Sequence, residues 1–306
     1  MASAPFQVTL GMTADLIPTA SELARAGSDL ASIQNALEPR YGTVQEGFAS
    51  MGGILALGGA WSLEPFAESA VVGSLHNPVV PELSTVFVAE GGLRLSGRFY
   101  PLPDWILEPG LAAALGTARS LQAVGTDFID HVPILSGGTR VLAPSLKVAR
   151  DFRLGHDWTI ASSALARYSL WGASVPGFAS AWRWNVAIDA ARPVAPRTSL
   201  ALEARLGPQP LPVAVLPLAW DAMHPSLNSA RFGAYVGGGA KVEYAWASPG
   251  TGLLARAGLY GGYVGGEIRA SWKRFSLDAS TWGLEEAAAF QGLEGRIYSL
   301  TADFRL

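Results

Sequence analysis

Hydrophobic and polar residues alternate one by one over long stretches of this chain. The alternation is clearest in Arg296–Leu306, where the apolar positions are Tyr298, Leu300, Ala302, Phe304 and Leu306. A period of two residues places one face of an extended segment in apolar surroundings and the other in polar surroundings. The pattern therefore predicts β-strands whose two faces meet different environments.

Pro and Gly interrupt the alternation and divide the chain into about fourteen predicted strands, or twelve if short segments merge. The strands are expected at 6–12, 46–61, 65–75, 86–99, 105–118, 139–152, 157–170, 181–190, 198–206, 211–221, 230–247, 252–272, 275–283 and 292–306. In 252–272 the apolar positions change from odd to even numbers, which a β-bulge within Gly261–Gly266 would explain. A turn there would instead add a strand and make the count odd.

One segment has helical spacing. Leu23, Leu30, Ile33 and Leu37 fall on one side of a helix predicted over 19–37, which Pro39 ends. Residues 13–45 are thus expected to form a helical insert between the first two strands. The insert would lie on the rim of a barrel or inside it, and the small residues expected on the inner face favour the barrel mouth.

Two hairpins can be placed in register. A tight turn at Lys273-Arg274 sets Arg269 opposite Asp278 on the inner face, and a turn at Ser248–Thr251 sets Glu243 opposite Arg256. Opposite charges directly across two strands stabilise such pairings. Both registers also place apolar residues opposite each other on the outer face.

The connections and the tryptophans are both distributed as in a membrane barrel, which has short turns at one end, long loops at the other and two aromatic girdles. The short connections are Ser62–Glu64, Tyr100–Asp104, Arg153–His156 and Lys273-Arg274, and the long ones are Thr13–Gln45, His76–Thr85, Arg119–Gly138, Trp171–Ser180 and Gly283–Gln291. Ala222–Ser229 and Gly207–Pro210 do not fit this division. One girdle is predicted to hold Trp61, Trp105, Trp158, Trp220 and Trp272, and the other Trp171, Trp182, Trp184, Trp246 and Trp282.

The last strand resembles the C-terminal strand of bacterial outer-membrane β-barrels, although Leu306 stands where Phe is usual in that family. The resemblance implies recognition by the barrel-assembly machinery, contact with outer-membrane lipid and lipopolysaccharide, and both chain termini in the periplasm. A helical element near the N-terminus of about fourteen strands also resembles the long-chain fatty-acid transporter family, whose Asn-Pro-Ala motif is absent. The expected fold is all-β, a transmembrane antiparallel up-and-down barrel forming one domain over residues 1–306.

Composition agrees with this fold. Of 306 residues, 49% are hydrophobic and 15% charged, against about 25% charged in ordinary soluble domains. The longest uncharged apolar run, Gly47 to Leu63, is rich in glycine and is too short for a membrane helix. A membrane protein without such helices must be a closed barrel, and a large soluble all-β protein is the alternative. Met1–Ala4 has the form of an initiator methionine before a mature N-terminus, so we expect an export signal to have been removed.

The residues that could carry chemistry are few. The chain has no Cys, which excludes disulfides and thiolate metal sites, and a net charge of −3, which argues against nucleic acid. Asp130-His131, with Asp127 and Ser136 nearby, is the best candidate for a surface hydrolase, because a carboxylate can orient an imidazole base. Loop polarity explains the pair better, as it does His76, His156 and His224. We therefore expect no enzyme activity, no metal and no cofactor.

The alternation also predicts which charged residues line the lumen. They are Arg94, Arg98, Glu108, Arg167, Arg183, Asp189, Glu203, Arg205, Lys241, Glu243, Arg256, Arg269 and Asp278. The uncharged polar residue Asn185 is expected on the same inner face. They either pair with one another and hold the barrel closed or line a polar conduit. The first hypothesis for function is a pore or transporter for small or hydrophobic solutes. The alternatives are a structural barrel that anchors a larger envelope assembly and, less favoured, a surface hydrolase.

Overall fold

The computed structural model describes residues 5–27, 29–76, 82–124, 134–155, 157–175, 178, 180–195, 198–207, 218, 233–243, 251–260, 263–287 and 292–305. The strands are β1 (Pro5–Thr13), β2 (Val44–Gly53), β3 (Leu55–Gly58), β4 (Trp61–His76), β5 (Glu82–Gly97), β6 (Trp105–Val124), β7 (Ile134–Leu154), β8 (Trp158–Ala173), β9 (Ala181–Ala195), β10 (Thr198–Gly207), β11 (Gly233–Glu243), β12 (Gly252–Tyr260), β13 (Tyr263–Trp272), β14 (Phe275–Ala287) and β15 (Gly292–Arg305). The helices are α1 (Leu16–Ala26) and α2 (Leu30–Leu37), followed by a 3-10 turn at Glu38–Arg40.

The strands close into an antiparallel barrel. β1 pairs with β15 on one side and β2 on the other, and β2 pairs with β4, so the sheet returns on itself. β2 and β3 share one register against β4, with Gly52 opposite Phe66 and Leu55 opposite Leu63. The interruption at Ile54 lies beside Pro65, which has no N–H to donate. Counted as one position, β2 and β3 give a wall of fourteen strands, which confirms the predicted fold.

Two segments, 252–272 and 211–221, were each predicted to form one strand. Residues 252–272 form two strands, β12 and β13, with Tyr260 opposite Tyr263, so the change of parity marks a turn and not a bulge. The predicted strand at 211–221 lies outside the described residues except for Leu218. In the described wall, β10 pairs directly with β11, and the count stays even because residues 252–272 supply two strands.

The two predicted hairpin registers have different outcomes. Arg269 is opposite Asp278 and Trp272 opposite Phe275, which confirms the first hairpin. In the second, Glu243 is opposite Gly252, and Arg256 is opposite Gly239, so the predicted pair is wrong. The observed register is displaced from the predicted one by four residues, which is an even number. An even displacement keeps every side chain on its face, which is why alternation alone did not exclude it.

The barrel has two ends that differ in their connections. The end that carries Lys273-Arg274, here the turn end, also carries Gly59-Ala60 between β3 and β4 and residues 155–157 between β7 and β8. Gly58 and Gly59 have φ of 95° and 61° in the first of these turns, which replaces the turn predicted at Ser62–Glu64. The opposite end, here the helix end, carries residues 14–43. β10 ends and β11 begins at the helix end, and the predicted connections Gly207–Pro210 and Ala222–Ser229 lie outside the described residues except for Gly207.

The helical insert consists of two helices and not one. Gly27, with a φ of 58°, ends α1 in a conformation that other residues avoid. Asp29 caps α2 by accepting a hydrogen bond from the Ser32 backbone N–H at 3.0 Å. The hydroxyl and the N–H of Ser32 together hold the pKa of the Asp29 carboxyl below its ordinary value. No helix in the described part of the chain is long and apolar enough to cross a membrane.

The helices lie on the outside of the barrel. Leu16 of α1 covers Gly47 of β2, where an added Cβ would come within 2.6 Å of Leu16 Cδ2 and 3.4 Å of Val71 Cγ1. Gly47 and Val71 alternate with the buried inward residues Phe48 and Ala70, so they face outward. The expectation that the insert occupies the mouth or lumen is therefore wrong, because the space left by small residues is on the outer wall.

Candidate functional site in the barrel lumen

Alternation along each strand separates an exposed apolar outer face from an inner face. The outward positions carry large exposed apolar residues, among them Leu10, Leu93, Leu142, Leu200 and Ile268. The inward positions between them are buried or half-buried. Since an apolar outer face and a polar inner face are what a membrane barrel needs, the inner face is where a functional site should lie.

The inward residues change character along the barrel axis. On β4, from the turn end to the helix end, they are Glu64, Phe66, Glu68, Ala70 and Val72. β5, β6, β7, β14 and β15 show the same order from charged to apolar. The charged members near the turn end are Arg94, Glu108, Lys147, Asp278 and Asp303, and the apolar members near the helix end are Val88, Ala114, Val141, Trp282 and Ile297. Glu46, buried on β2 near the helix end, is an exception.

A network of ion pairs crosses the wall from β9 to β14 in the charged half. Arg256 donates to Glu203 at 3.1 Å and to Glu267. Arg205 lies 3.2 Å from Glu203. Because Glu203 and Glu267 are buried, removing the shared arginine would leave carboxylates without a full set of partners.

The same network continues at both ends. Arg269 donates through Nε to Asp278 at 2.9 Å and lies 3.4 Å from Glu267. Asp189 is 4.0 Å from Arg205. Side chains on the inner face thus link β9, β10, β12, β13 and β14, and the pair of Arg256 with Glu203 reaches across β11.

A second group of ion pairs lies on β4, β5, β6 and β7. Arg94 donates to Glu64 at 2.8 Å and to Glu68 at 2.9 Å, and its guanidinium carbon lies 3.9 Å from the centroid of the Phe66 ring. At the turn end, Glu108 pairs with Lys147 at 3.2 Å and with Arg98 at 2.5 Å. These pairs connect β4 with β5 and β6 with β7 through their side chains.

The apolar half is closed by packing. Val88 and Ile297 are 0% exposed and Trp282 is 1% exposed. They form one cluster with buried residues of β2, β4, β5 and β6, and Trp171 packs against it while stacking on Phe178 with 5.5 Å between the ring centroids. Trp171 and Trp282 were predicted as girdle residues at the membrane surface, which is wrong, because both point inward.

Leu218 enters the lumen between the two halves. It belongs to the connection between β10 and β11, is 1% exposed, and packs with Phe66 in a cluster that also contains Ala112, Ala114, Val141 and Ala143. Its backbone N–H donates to the Glu68 carboxylate. A residue from a surface connection therefore occupies the centre of the barrel, which nothing in the alternation pattern indicated.

The remaining predicted site residues are placed as follows. Arg167 and Arg183 are opposite each other on β8 and β9, with Asn185 opposite Leu165, and Lys241 is in register with Ser199. Of the other predicted girdle residues, Trp220 and Trp246 lie outside the described residues. Trp61, Trp272, Trp182 and Trp184 are exposed on the outer face, and Trp105 and Trp158 are half-buried on the same face at the turn end.

The sequence-based list omitted several inward carboxylates. Glu64, Glu68, Glu90 and Glu267 share the parity of Arg94 and Arg269, and that parity could have identified them. Glu68 and Glu90 are opposite each other and both buried. The omitted residues are the acidic partners that the predicted arginines required.

The described residues contain no group of three or more His, Asp or Glu side chains placed to hold a metal ion. Asp127, Asp130 and His131 of the predicted hydrolase pair lie outside the described residues, as do His156 and His224. Ser136 is exposed on β7. Three of the four residues of the hydrolase hypothesis thus lie outside the described part of the chain.

Comparison with solved structures identifies the same kind of fold. The transport unit of the autotransporter AIDA-I from Escherichia coli has a TM-score of 0.53 and 11% identity, over 99% of this chain and 90% of that one. The toluene transporter TodX from Pseudomonas putida has a TM-score of 0.51 and 7% identity, over 99% and 89%. No protein-family model matches the sequence, and the search of curated proteins finds no match. At these identities the likeness shows the barrel fold.

Proposed function

We propose that this chain is an outer-membrane barrel that takes up small hydrophobic solutes. The observation that carries the proposal is the apolar half of the lumen, where Val88, Trp282 and Ile297 face inward in a barrel whose outer face is also apolar. A lumen for ions or sugars gains nothing from such a lining, whereas a hydrophobic solute is stabilised by it. The fold shared with the toluene transporter TodX supports this assignment.

The two halves of the lumen would have different tasks in uptake. The apolar half, at the end with the longer connections, would bind the solute on the external side. The charged half would hold the strands of the periplasmic side together through ion pairs such as those of Arg256 and Arg94. Leu218, packed between the halves, would restrict passage. Ions would meet the closed apolar half first and cross slowly.

The test combines uptake with conductance. Cells that lack their own hydrocarbon channels and express this chain should accumulate radiolabelled toluene several-fold faster than cells with the empty vector. Purified barrels in planar bilayers should show little ionic conductance. Val88→Thr adds a hydroxyl to the apolar half at nearly constant volume and should reduce uptake, because that hydroxyl has no partner there.

Ala187→Ser is the matched control for this test. Ala187 is a buried inward residue opposite Arg205 in the charged half, so the added hydroxyl has polar neighbours and uptake should not change. Equal uptake by Val88→Thr and the unchanged protein would contradict the proposed binding half. Large stable conductance would mean a water-filled pore.

A second candidate is a structural barrel that anchors a larger envelope assembly. The near-complete burial of Val88, Ile297 and Leu218 favours it, because a filled lumen needs no passage. Absence of both uptake and conductance, with an intact barrel, would support this candidate over transport.

The orientation belongs to the same proposal. The first strand begins and the last strand ends at the turn end, since Pro5 is opposite Arg305, and we place that end in the periplasm. The alternating last strand, with Leu300 and Phe304 exposed on the outer face, would be the segment read by the barrel-assembly machinery. Lipopolysaccharide and outer-membrane lipid would be the surroundings, and no catalytic role is proposed.

A further inference from the structure

The two helices leave a cavity between themselves and the outer wall of the barrel. Its volume is about 230 Å³. The helices contribute Leu16, Leu23 and Leu37, and the wall contributes Val71 and Leu83 from β4 and β5. Nearly all of its surface is apolar, and an apolar cavity of roughly 150 Å³ already stays dry and holds a benzene-sized molecule. The cavity therefore suits hydrocarbon and not water.

A groove lies beside the cavity on the same outer wall. The groove, of about 510 Å³, follows β2, β4 and β5 towards the turn end. Its floor consists of the small outward residues Ala49, Ala67, Ser69, Ala89 and Gly91, and its sides include Leu10, Met51 and Leu115. Val71, which lines the cavity, is the next outward residue after Ser69 on β4, so an extended chain in the groove can continue along the same strand beneath the helices.

Arg40 adds a polar feature at the edge of the cavity. One guanidinium nitrogen, Nη1, lies 2.9 Å from Glu22 and also donates to the Ala36 carbonyl. The Nε–H of the same side chain is buried and has no acceptor among the described residues. A buried donor without a partner is costly, so an oxygen supplied by a ligand would stabilise this arrangement.

From these features we propose that the cavity binds an acyl chain of lipopolysaccharide, with an ester or amide carbonyl of the lipid accepting from Arg40 Nε. The hydrocarbon fills the cavity and the groove, and the carbonyl satisfies the buried donor. The choice of lipopolysaccharide rests on the proposed orientation, which places the helix end at the outer leaflet. The proposal does not depend on solute uptake through the lumen.

The experiment measures lipid retention. The full chain is purified from outer membranes, exchanged into a delipidating detergent and examined by native mass spectrometry, and then supplied with rough lipopolysaccharide or with phosphatidylethanolamine. One lipopolysaccharide per chain should survive the exchange or rebind. Retention of detergent alone, or preference for phosphatidylethanolamine, would overturn the proposal.

Two variants test the two parts of the site. Gly73→Leu fills the cavity, because a Cβ at Gly73 meets only Thr85 Oγ1 at 3.4 Å and Gln45 atoms beyond that. It should weaken lipopolysaccharide binding about tenfold or more. Arg40→Lys keeps the charge opposite Glu22 but removes the Nε–H, and should weaken binding less.

The matched controls separate binding from folding. Ala113→Leu adds the same bulk at an exposed outward position of β6, away from the helices, and Glu22→Gln alters the ion pair of Arg40 without removing its Nε–H. Both should retain lipopolysaccharide, and all four variants should migrate differently on gels before and after heating, as closed barrels do. If Gly73→Leu binds as well as Ala113→Leu, the cavity is not the site. Toluene uptake, measured on the same variants, should not change, so failure of the lipid site and failure of the transport function give different results.

Discussion

The two halves of the lumen are built from the same strands but are held together in different ways. Near the turn end, buried carboxylates such as Glu203 and Glu267 share arginines within hydrogen-bonding distance. Near the helix end, Val88, Trp282 and Ile297 pack with almost no exposed surface. The stability of the charged half depends on each carboxylate having a cation within hydrogen-bonding distance. The stability of the apolar half depends on side chains that fill the available volume and carry no charge.

This difference explains why the inner face of a barrel need not be uniformly polar. Charges in a lumen are tolerated when they are paired, and apolar residues are tolerated when they exclude water. Ala70 and Ala187 are both buried alanines on the inner face, but Ala70 stands between Phe48 and Val88, and Ala187 stands opposite Arg205. The same substitution at these two positions should therefore have opposite outcomes.

The largest effect is expected for Ala70→Asp. An aspartate there has no cation beside it, and an unpaired buried ion costs on the order of several kcal/mol, so the barrel should fail to assemble or lose its resistance to sodium dodecyl sulfate. Ala187→Asp places the same carboxylate opposite Arg205 and should lose less of the free energy of unfolding, because a cation faces it across the strands. Gel mobility with and without heating, followed by urea unfolding in lipid vesicles, measures both. Equal stability of the two variants would contradict the division of the lumen.

A smaller effect is expected for Arg256→Met, which removes the cation shared by Glu203 and Glu267. Leaving a buried charge without any partner costs about 3–5 kcal/mol, and the loss here should be smaller than that but larger than at an exposed pair, because Glu203 keeps Arg205 and Glu267 keeps Arg269. The control is Arg192→Met, whose partner Asp157 is 3.1 Å away in a pair with side chains 46% and 53% exposed, and which should cost less than about 1 kcal/mol. Urea unfolding of both variants in the same vesicles gives the comparison. A loss at Arg256 no greater than that at Arg192 would show that the network does not stabilise the barrel.

The smallest perturbation tests the register of the charged half. Cysteines replacing Arg269 and Asp278 should form a disulfide readily, because directly opposed residues of antiparallel strands lie about 4.5–5.5 Å apart. A pair replacing Ile268 and Asp278 should crosslink poorly, since Ile268 faces outward. Reducing and non-reducing gels after mild oxidation report both. Better crosslinking of the second pair would mean that the strands are displaced by one residue.

The sequence predicted those features that depend on neighbouring residues along one strand or across one tight turn. Alternation placed Leu300 and Phe304 outside and Thr301 inside, and the Lys273-Arg274 turn fixed Arg269 opposite Asp278. Charged residues such as Arg94 and Arg256 were assigned to the inner face for the same reason. In each case the geometry of an extended backbone permits only two directions for a side chain, and the hydrophobic pattern selects one.

Other features required the closed barrel. Trp282 was predicted near the end of a strand over 275–283, but β14 continues to Ala287, so Trp282 lies in the middle of the strand and packs in the lumen with Trp171 against the same cluster. The register between β11 and β12 is displaced from the predicted one by an even number of residues. Such a displacement leaves every side chain on the same face, so the alternation of apolar and polar residues does not reveal it. Residues 252–272 likewise needed the pairing of Tyr260 with Tyr263 to be divided into two strands.

The tertiary structure alone decided where the insertions pack. A helix with an apolar stripe can cover any apolar surface, and the sequence of α1 does not distinguish the lumen from the outer wall, where Gly47 accommodates Leu16. Leu218 is far from Glu68 and Phe66 along the chain, and closure of the barrel brings them together. The sequence by itself determined the fold class and the two faces of each strand, because these depend on short-range periodicity. The division of the lumen, the position of Leu218 and the cavity beside Arg40 depend on contacts between distant strands, which form only once the sheet has closed.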